Sequence, residues 1–137
     1  MGHQGDSVEE FRSAAATRFA FLVEDAGFSG PERTEEGLVF HGPGLDVEVW
    51  FLDVREPQVT TLVVPISADG TRRPGGWLDD LYVTAGCGPA QDIPGSAQTQ
   101  RAMLKRVEQH AEGLRRLLPQ LLDPDGDQLI PRLPTTR

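Results

Sequence analysis

The chain has 137 residues, a formal net charge of −8 at pH 7, 38% hydrophobic residues and one cysteine. This length is typical of one domain that buries its own core, and the acidic balance disfavours nucleic acid as a partner because acidic surfaces and phosphates repel each other. No apolar run approaches the roughly 20 residues of a membrane span, and a lone cysteine rules out an internal disulfide and favours the reducing cytoplasm.

An amphipathic helix is predicted over residues 7–26, after a flexible N-terminus at residues 1–6. Ser7 stands where an N-cap belongs, and Glu10 has the spacing of its capping-box partner. Gly27 is placed to end the helix in a left-handed conformation. Apolar residues recur at steps of three and four, which gives one apolar face: Val8, Phe11, Ala15, Phe19, Leu22, Val23 and Ala26.

Three β-strands are predicted next, after a polar connector at residues 29–37. Residues 38–41 and 45–54 form a predicted hairpin around a Gly-Pro-Gly turn, and residues 58–66 form the third strand. The short connections predict an antiparallel meander. Along the second strand one face is wholly apolar, with Leu45, Val47, Val49 and Phe51, whereas the other face mixes acidic and apolar residues, with Asp46, Glu48, Trp50 and Leu52.

Two further helices are predicted after the strands. The first is short, is closed by Gly86 and has apolar residues at Trp77, Leu78, Leu81, Tyr82 and Ala85. Residues 86–96 are rich in glycine and proline and are predicted to be a loop. The last helix is expected to begin near Ser96 or Thr99, and Pro119 is expected to kink or end it. Its apolar seam comprises Leu104, Val107, Ala111, Leu114, Leu118 and Leu121.

These elements predict a single α+β domain over residues 7–122. It has an N-terminal helix, a three-stranded antiparallel meander, a short helix, and a long C-terminal helix packed on one face of the sheet. Residues 123–137 are predicted to be a flexible tail, acidic and rich in proline.

The tail carries three acidic residues at the spacing that opens a helix–loop–helix calcium loop: Asp123, Asp125 and Asp127. Such a loop also needs a glycine at its sixth position and a glutamate at its twelfth. Here those positions hold Gln128 and Pro134, which favours a turn and no metal site. The glycine turns of the chain lack the spacing and the lysine of a phosphate loop, so no cofactor is expected.

Cys87 is the candidate nucleophile, since it lies between two glycines. A reactive thiolate needs a nearby histidine or a helix N-terminus. Neither His41 nor His110 has a motif that links it to Cys87, which also follows the predicted short helix and so meets the unfavourable end of its dipole. Asp79 and Asp80 are adjacent, so on a helix they point about 100° apart and form no catalytic dyad. No catalytic residue is predicted, and a small cytoplasmic enzyme that uses Cys87 stays an alternative.

The mixed face of the second strand is the candidate binding surface. Trp50 and Leu52 either fill an ordinary core or form an exposed patch ringed by Asp46, Glu48 and Asp53. In a domain this small the helices readily cover only one face of a sheet. We therefore expect a non-catalytic module that binds another protein, with Trp50 and Leu52 as apolar anchors and the acidic residues orienting a cationic partner. A structural homodimer built on the last helix is a further alternative.

The order of elements resembles the secretion-chaperone-like fold and small immunity-type bacterial α+β proteins. Three stretches carry this resemblance: FAFLVEDAGF at residues 19–28, VEVWF at 47–51, and the leucine seam at 104–121. It implies partner binding through the sheet or helix faces, often as a dimer, by analogy of fold. The chain departs from that fold at residues 86–96, where two further strands are usual.

Overall fold

The computed structural model of the protein describes residues 3–52 and 55–122, so the predicted acidic tail lies outside the described residues. The fold is α+β, as predicted. In chain order its elements are α1 (His3–Arg18), α2 (Phe21–Asp25), β1 (Ser29–Arg33), β2 (Gly37–His41), β3 (Leu45–Leu52), β4 (Gln58–Pro65), β5 (Gly76–Trp77), α3 (Leu78–Thr84), a 3-10 turn (Ala90–Asp92) and α4 (Gln100–Leu121).

The sheet has five antiparallel strands in the order β1-β2-β3-β4-β5, so the prediction of three strands was too few. The predicted strands are β2, β3 and β4, and one strand is added at each edge. β1 lies in the segment predicted as a polar connector. All five of its residues are exposed, so no apolar alternation marks it, and it is held by backbone pairing with β2. β5 has only two residues.

The N-terminal helix is broken, whereas one continuous helix was predicted. α1 begins at His3, before the predicted cap at Ser7, and ends at Arg18. A tight turn follows, in which the Leu22 amide donates to the Phe19 carbonyl at 3.0 Å. This turn lets Phe19, Phe21 and Leu22 all enter the core, which a single straight helix cannot do because its apolar stripe covers only one side.

α1 and α4 pack together on one face of the sheet. Phe11 of α1 stacks on Phe51 of β3 with ring centroids 5.7 Å apart, and Val107 and Leu114 of α4 are fully buried in the same core. The predicted seam was wrong at Leu104, which is 38% exposed. The stripe that faces the sheet begins one residue earlier, at the buried Met103.

The N-terminus of α4 follows from the sequence, because the Thr99 hydroxyl caps it by accepting a hydrogen bond from the Ala102 amide at 3.0 Å. Pro119 was expected to kink or end the helix, but it lies inside α4, which continues to Leu121. None of the helices in the described part of the chain is long and apolar enough to cross a membrane.

Candidate binding surface

The two faces of the sheet differ in what covers them. In β3, Leu45, Val47, Val49 and Phe51 belong to the core that the helices complete, whereas the residues that alternate with them do not. Val39 and Val64, on this second side, are buried but also lie outside the helix-covered core. We call this second side the outer face; it comprises Val39, His41, Asp46, Glu48, Trp50, Leu52, Thr60, Leu62, Val64 and Trp77.

An ionic network occupies one end of the outer face. The guanidinium of Arg72 lies 3.5 Å from Asp46 and 2.7 Å from Glu48. His41 Nδ1 lies 3.2 Å from the Asp46 carboxylate, and Nε2 donates to Glu32 at 2.9 Å. The side chains of Asp46 and Glu48 are only 9% and 15% exposed. The predicted site residues Asp46 and Glu48 therefore lie within the face and already contact cations.

An aromatic pair occupies the other end of the outer face. The rings of Trp50 and Trp77 meet edge to face, with centroids 5.8 Å apart and an interplanar angle of 81°. Trp50 is half-buried and its indole N–H donates to Glu48 at 3.2 Å, whereas Trp77 is 40% exposed. Leu52 and Leu62 are half-buried beside them in the sheet. Two predicted residues, Trp50 and Leu52, thus belong to a partly exposed apolar patch, and Asp53 lies outside the described residues.

Trp77 was missed as a surface residue, because its spacing placed it on the apolar stripe of the short helix. It ends β5 instead, opposite Leu62, and α3 begins at the next residue. One signal in the sequence indicates this boundary. Asp79 and Asp80 suit the first turn of a helix, where the dipole favours anions, and a helix that starts there leaves Trp77 outside.

A cavity of about 200 Å³ adjoins the tryptophan pair at the edge of β4. The cavity exists because β5 is short and pairs only with Leu62 and Val63 of β4. Farther along the same edge of β4, the Val59 amide donates to the Gly95 carbonyl at 2.8 Å. The chain leaves a gap between these two partners of β4. Six of the residues that line it are Thr60, Trp77, Asp79, Asp80, Ile93 and Gly95.

His110 also lines the cavity, and its hydrogen bonds fix the tautomer of the neutral ring. The Pro94 carbonyl, 2.8 Å from Nε2, can only accept, so Nε2 carries the proton and Nδ1 accepts from the Thr61 hydroxyl at 2.9 Å. Burial lowers the pKa of His110 below its usual value because an enclosed site disfavours the charged ring. His110 is therefore a neutral, fully bonded histidine, and neither nitrogen is free to take a proton from a substrate.

The two carboxylates at the cavity have no such partners. No ion pair or hydrogen bond within residues 3–52 and 55–122 involves the side chain of Asp79 or Asp80. Burial, followed by the negative charge of Asp79, raises the pKa of Asp80. The cavity therefore presents negative charge that the described part of the protein leaves uncompensated.

Among the described residues, no hydrogen bond joins Cys87 to a histidine. The Cys87 amide donates to the Tyr82 carbonyl at 3.0 Å, just beyond the C-terminus of α3, and its Sγ accepts a hydrogen bond from the Gln120 amide at 3.6 Å. His41 lies on the outer face and His110 contacts Thr61 and Pro94. The described residues contain no group of three or more side chains suited to hold a metal ion.

Comparison with known proteins adds no relative: no family model, no curated protein and no solved structure matches the chain.

Proposed function

We propose that the protein is a non-catalytic module that binds another protein through the outer face, in the manner of a chaperone, inhibitor or adaptor. The observation that carries the proposal is the edge-to-face pair of Trp50 and Trp77 on the face that the helices leave uncovered. Tryptophan is enriched among the residues that dominate binding energies at protein interfaces. Trp77, at 40% exposed, retains apolar area for a partner to bury.

The partner is expected to be cationic. The chain carries a net charge of −8, and the carboxylates beside Trp77 are those of Asp79 and Asp80, which have no counter-ion among the described residues. Complementary charge steers encounter and selects partners. Asp46 and Glu48 contribute differently, since they hold Arg72 and the Trp50 indole in place and so fix the shape of the patch.

Affinity purification with the full chain tests the proposal. The wild type is compared with Trp77→Ala and with Leu104→Ala, a matched control that removes a side chain of similar exposure, 38%, from the helical side. A partner retained by the wild type is purified, and its dissociation constant is measured by calorimetry. Trp77→Ala is expected to weaken binding by about tenfold or more, since interface tryptophans are commonly worth more than about 1–2 kcal/mol.

Two further results complete the test. Trp77→Ala should fold, with a loss of about 1 kcal/mol from the missing aromatic contact, and Leu104→Ala should bind the partner as the wild type does. Equal binding by the wild type and Trp77→Ala would overturn the proposal. Retention of a second copy of the chain alone, confirmed by sedimentation, would replace it with a homodimer.

A further inference from the structure

The cavity beside Trp77 has the size of a site for one side chain. Its volume of about 200 Å³ is below the roughly 300–1,000 Å³ of pockets that enclose drug-sized ligands. Of the residues that line it, Trp77 and Asp80 are exposed, whereas Ile93 and His110 are buried. A group in the cavity therefore meets a tryptophan ring, two carboxylates and an apolar side chain.

The polar chemistry of the lining suits a cation. Asp79 and Asp80 supply two carboxylates without an ion-pair partner in the described part of the chain. Thr60 adds a hydroxyl oxygen that is enclosed and has no hydrogen-bond partner among those residues. His110 is neutral for the reasons given above, so it does not repel a positive charge. Carboxylates and hydroxyls accept hydrogen bonds, and an ammonium or guanidinium group only donates them.

We propose that this cavity receives a lysine or arginine side chain of the protein that docks on the tryptophan pair. The cationic head would lie against Asp79 and Asp80, and the aliphatic stem would pass the apolar wall at Ile93. The indole of Trp77 lines the same cavity, where an aromatic face attracts a cation placed over it. This inference rests on the proposed function, because it assigns the cavity to a partner docked on the outer face.

The test uses small probes on the full, isotope-labelled chain. Nα-acetyl-arginine amide and Nα-acetyl-lysine amide carry the two basic side chains, and Nα-acetyl-citrulline amide keeps the size of arginine without its charge. Nuclear magnetic resonance follows the Trp77 indole and the amides of Asp79, Asp80 and Gly95. Saturable shifts are expected with a cationic probe and not with citrulline, because the carboxylates recognise charge.

Matched variants locate the site. The double variant Asp79→Asn, Asp80→Asn is expected to weaken binding of the cationic probe by about fivefold. Glu24→Gln, Asp25→Asn removes the same charge from exposed positions on α2. α2 contacts β1, the edge strand opposite β5, and binding should stay within about twofold because distant exposed charges are screened.

The proposal is overturned if neither cationic probe gives saturable shifts, if citrulline binds equally well, or if both double variants weaken binding alike. Free 1,4-diaminobutane that binds tenfold more tightly than the amino-acid amides would also overturn it, in favour of a small diamine. None of these results contradicts the proposed function if Trp77→Ala still weakens binding of the partner protein. The two proposals can therefore be tested independently.

Discussion

His41 and His110 show how the pKa of one residue type shifts in opposite directions on the two sides of one sheet. His41, on the outer face, has a carboxylate at each ring nitrogen, and chiefly the hydrogen bond to Glu32 raises its pKa. His110, in the helix-covered layer, bonds a carbonyl and a hydroxyl, and burial lowers its pKa. The surroundings of each ring decide the direction in which its pKa shifts.

His110 should make the protein less stable on mild acidification. The unfolded chain takes up a proton at this residue near pH 6.5, whereas the folded chain does so only at lower pH. The contribution of neutral His110 to the free energy of unfolding is therefore complete above about pH 6.5. It is lost as pH falls from there through the lowered folded pKa. His110→Gln should remove this loss, at a cost of about 1–3 kcal/mol near neutral pH from the bond to Thr61. Urea unfolding across pH measures both effects.

His41 provides the control for that experiment. Its folded pKa is raised, so its contribution is fully present below about pH 6.5 and is lost as pH rises through the raised value. His41→Gln should therefore steepen the loss of stability on acidification. The account of His110 is wrong if wild type and His110→Gln lose stability alike over the same pH range.

At the scale of elements, the side chain of Arg12 joins α1 to the turn between β1 and β2 through hydrogen bonds. Its guanidinium donates to the carbonyls of Thr34 at 2.6 Å and Glu35 at 3.0 Å, and Nε lies 3.4 Å from the carbonyl of Gly37. Its side chain is only 14% exposed. One planar guanidinium thus reaches three carbonyls, of which that of Gly37 also accepts from the Thr34 amide at 2.9 Å, and a lysine cannot reproduce this geometry.

Arg12→Ala should lower the free energy of unfolding by about 2 kcal/mol, since hydrogen bonds to a charged group are each worth roughly 1.5–3 kcal/mol and water partly replaces them. Arg18→Ala is the matched control on α1. Its ion pair with Glu108 has both side chains 54% exposed, and such pairs contribute about 0–1 kcal/mol. Equal losses in the two variants, measured by urea unfolding, would show that Arg12 is no anchor.

The elements that the sequence predicts are those with a strong apolar period. The alternation in Leu45–Leu52 and the seam of α4 identify the central strand and the last helix, because burial of one face imposes the period on the chain. β1 escapes prediction since none of its residues is buried, and β5 since two residues carry no period. Both edge strands depend on backbone pairing, which leaves little trace in side-chain types.

The candidate site is predictable to a similar extent. Trp50 and Leu52 stand out because they break the alternation of β3, and the structure places both on the outer face. Trp77 does not stand out, because helical spacing explains it equally well. The cavity is harder to predict than Trp77. It depends on where β5 ends and on the Gly95 carbonyl that pairs with β4 beyond that end, and no local sequence pattern indicates either.

At the scale of the whole molecule, the sheet has one face that the helices cover and one face that they leave uncovered. Helices α1 and α4 cover the inner side of the sheet, and the core between the layers contains the fully buried Phe11, Phe40, Val47 and Leu114. On the outer face, side chains contact one another through an ionic network and an aromatic pair. Loss of a side chain from the core should therefore reduce stability more than loss of Trp77, which is 40% exposed on the outer face.

The same layering predicts a graded pattern of amide hydrogen exchange. β3 is paired on both sides and Val47 and Val49 are fully buried, so their amides should exchange only through global unfolding, with the urea dependence of that transition. β1 is exposed throughout and paired on one side, so its amides should exchange faster and with little urea dependence. Two-dimensional nuclear magnetic resonance in deuterated buffer measures both strands at once, and the buried amides of α4 serve as an internal reference. Equal protection of β1 and β3 would mean that the edge strand opens only with the core, and that the sheet is a single cooperative unit.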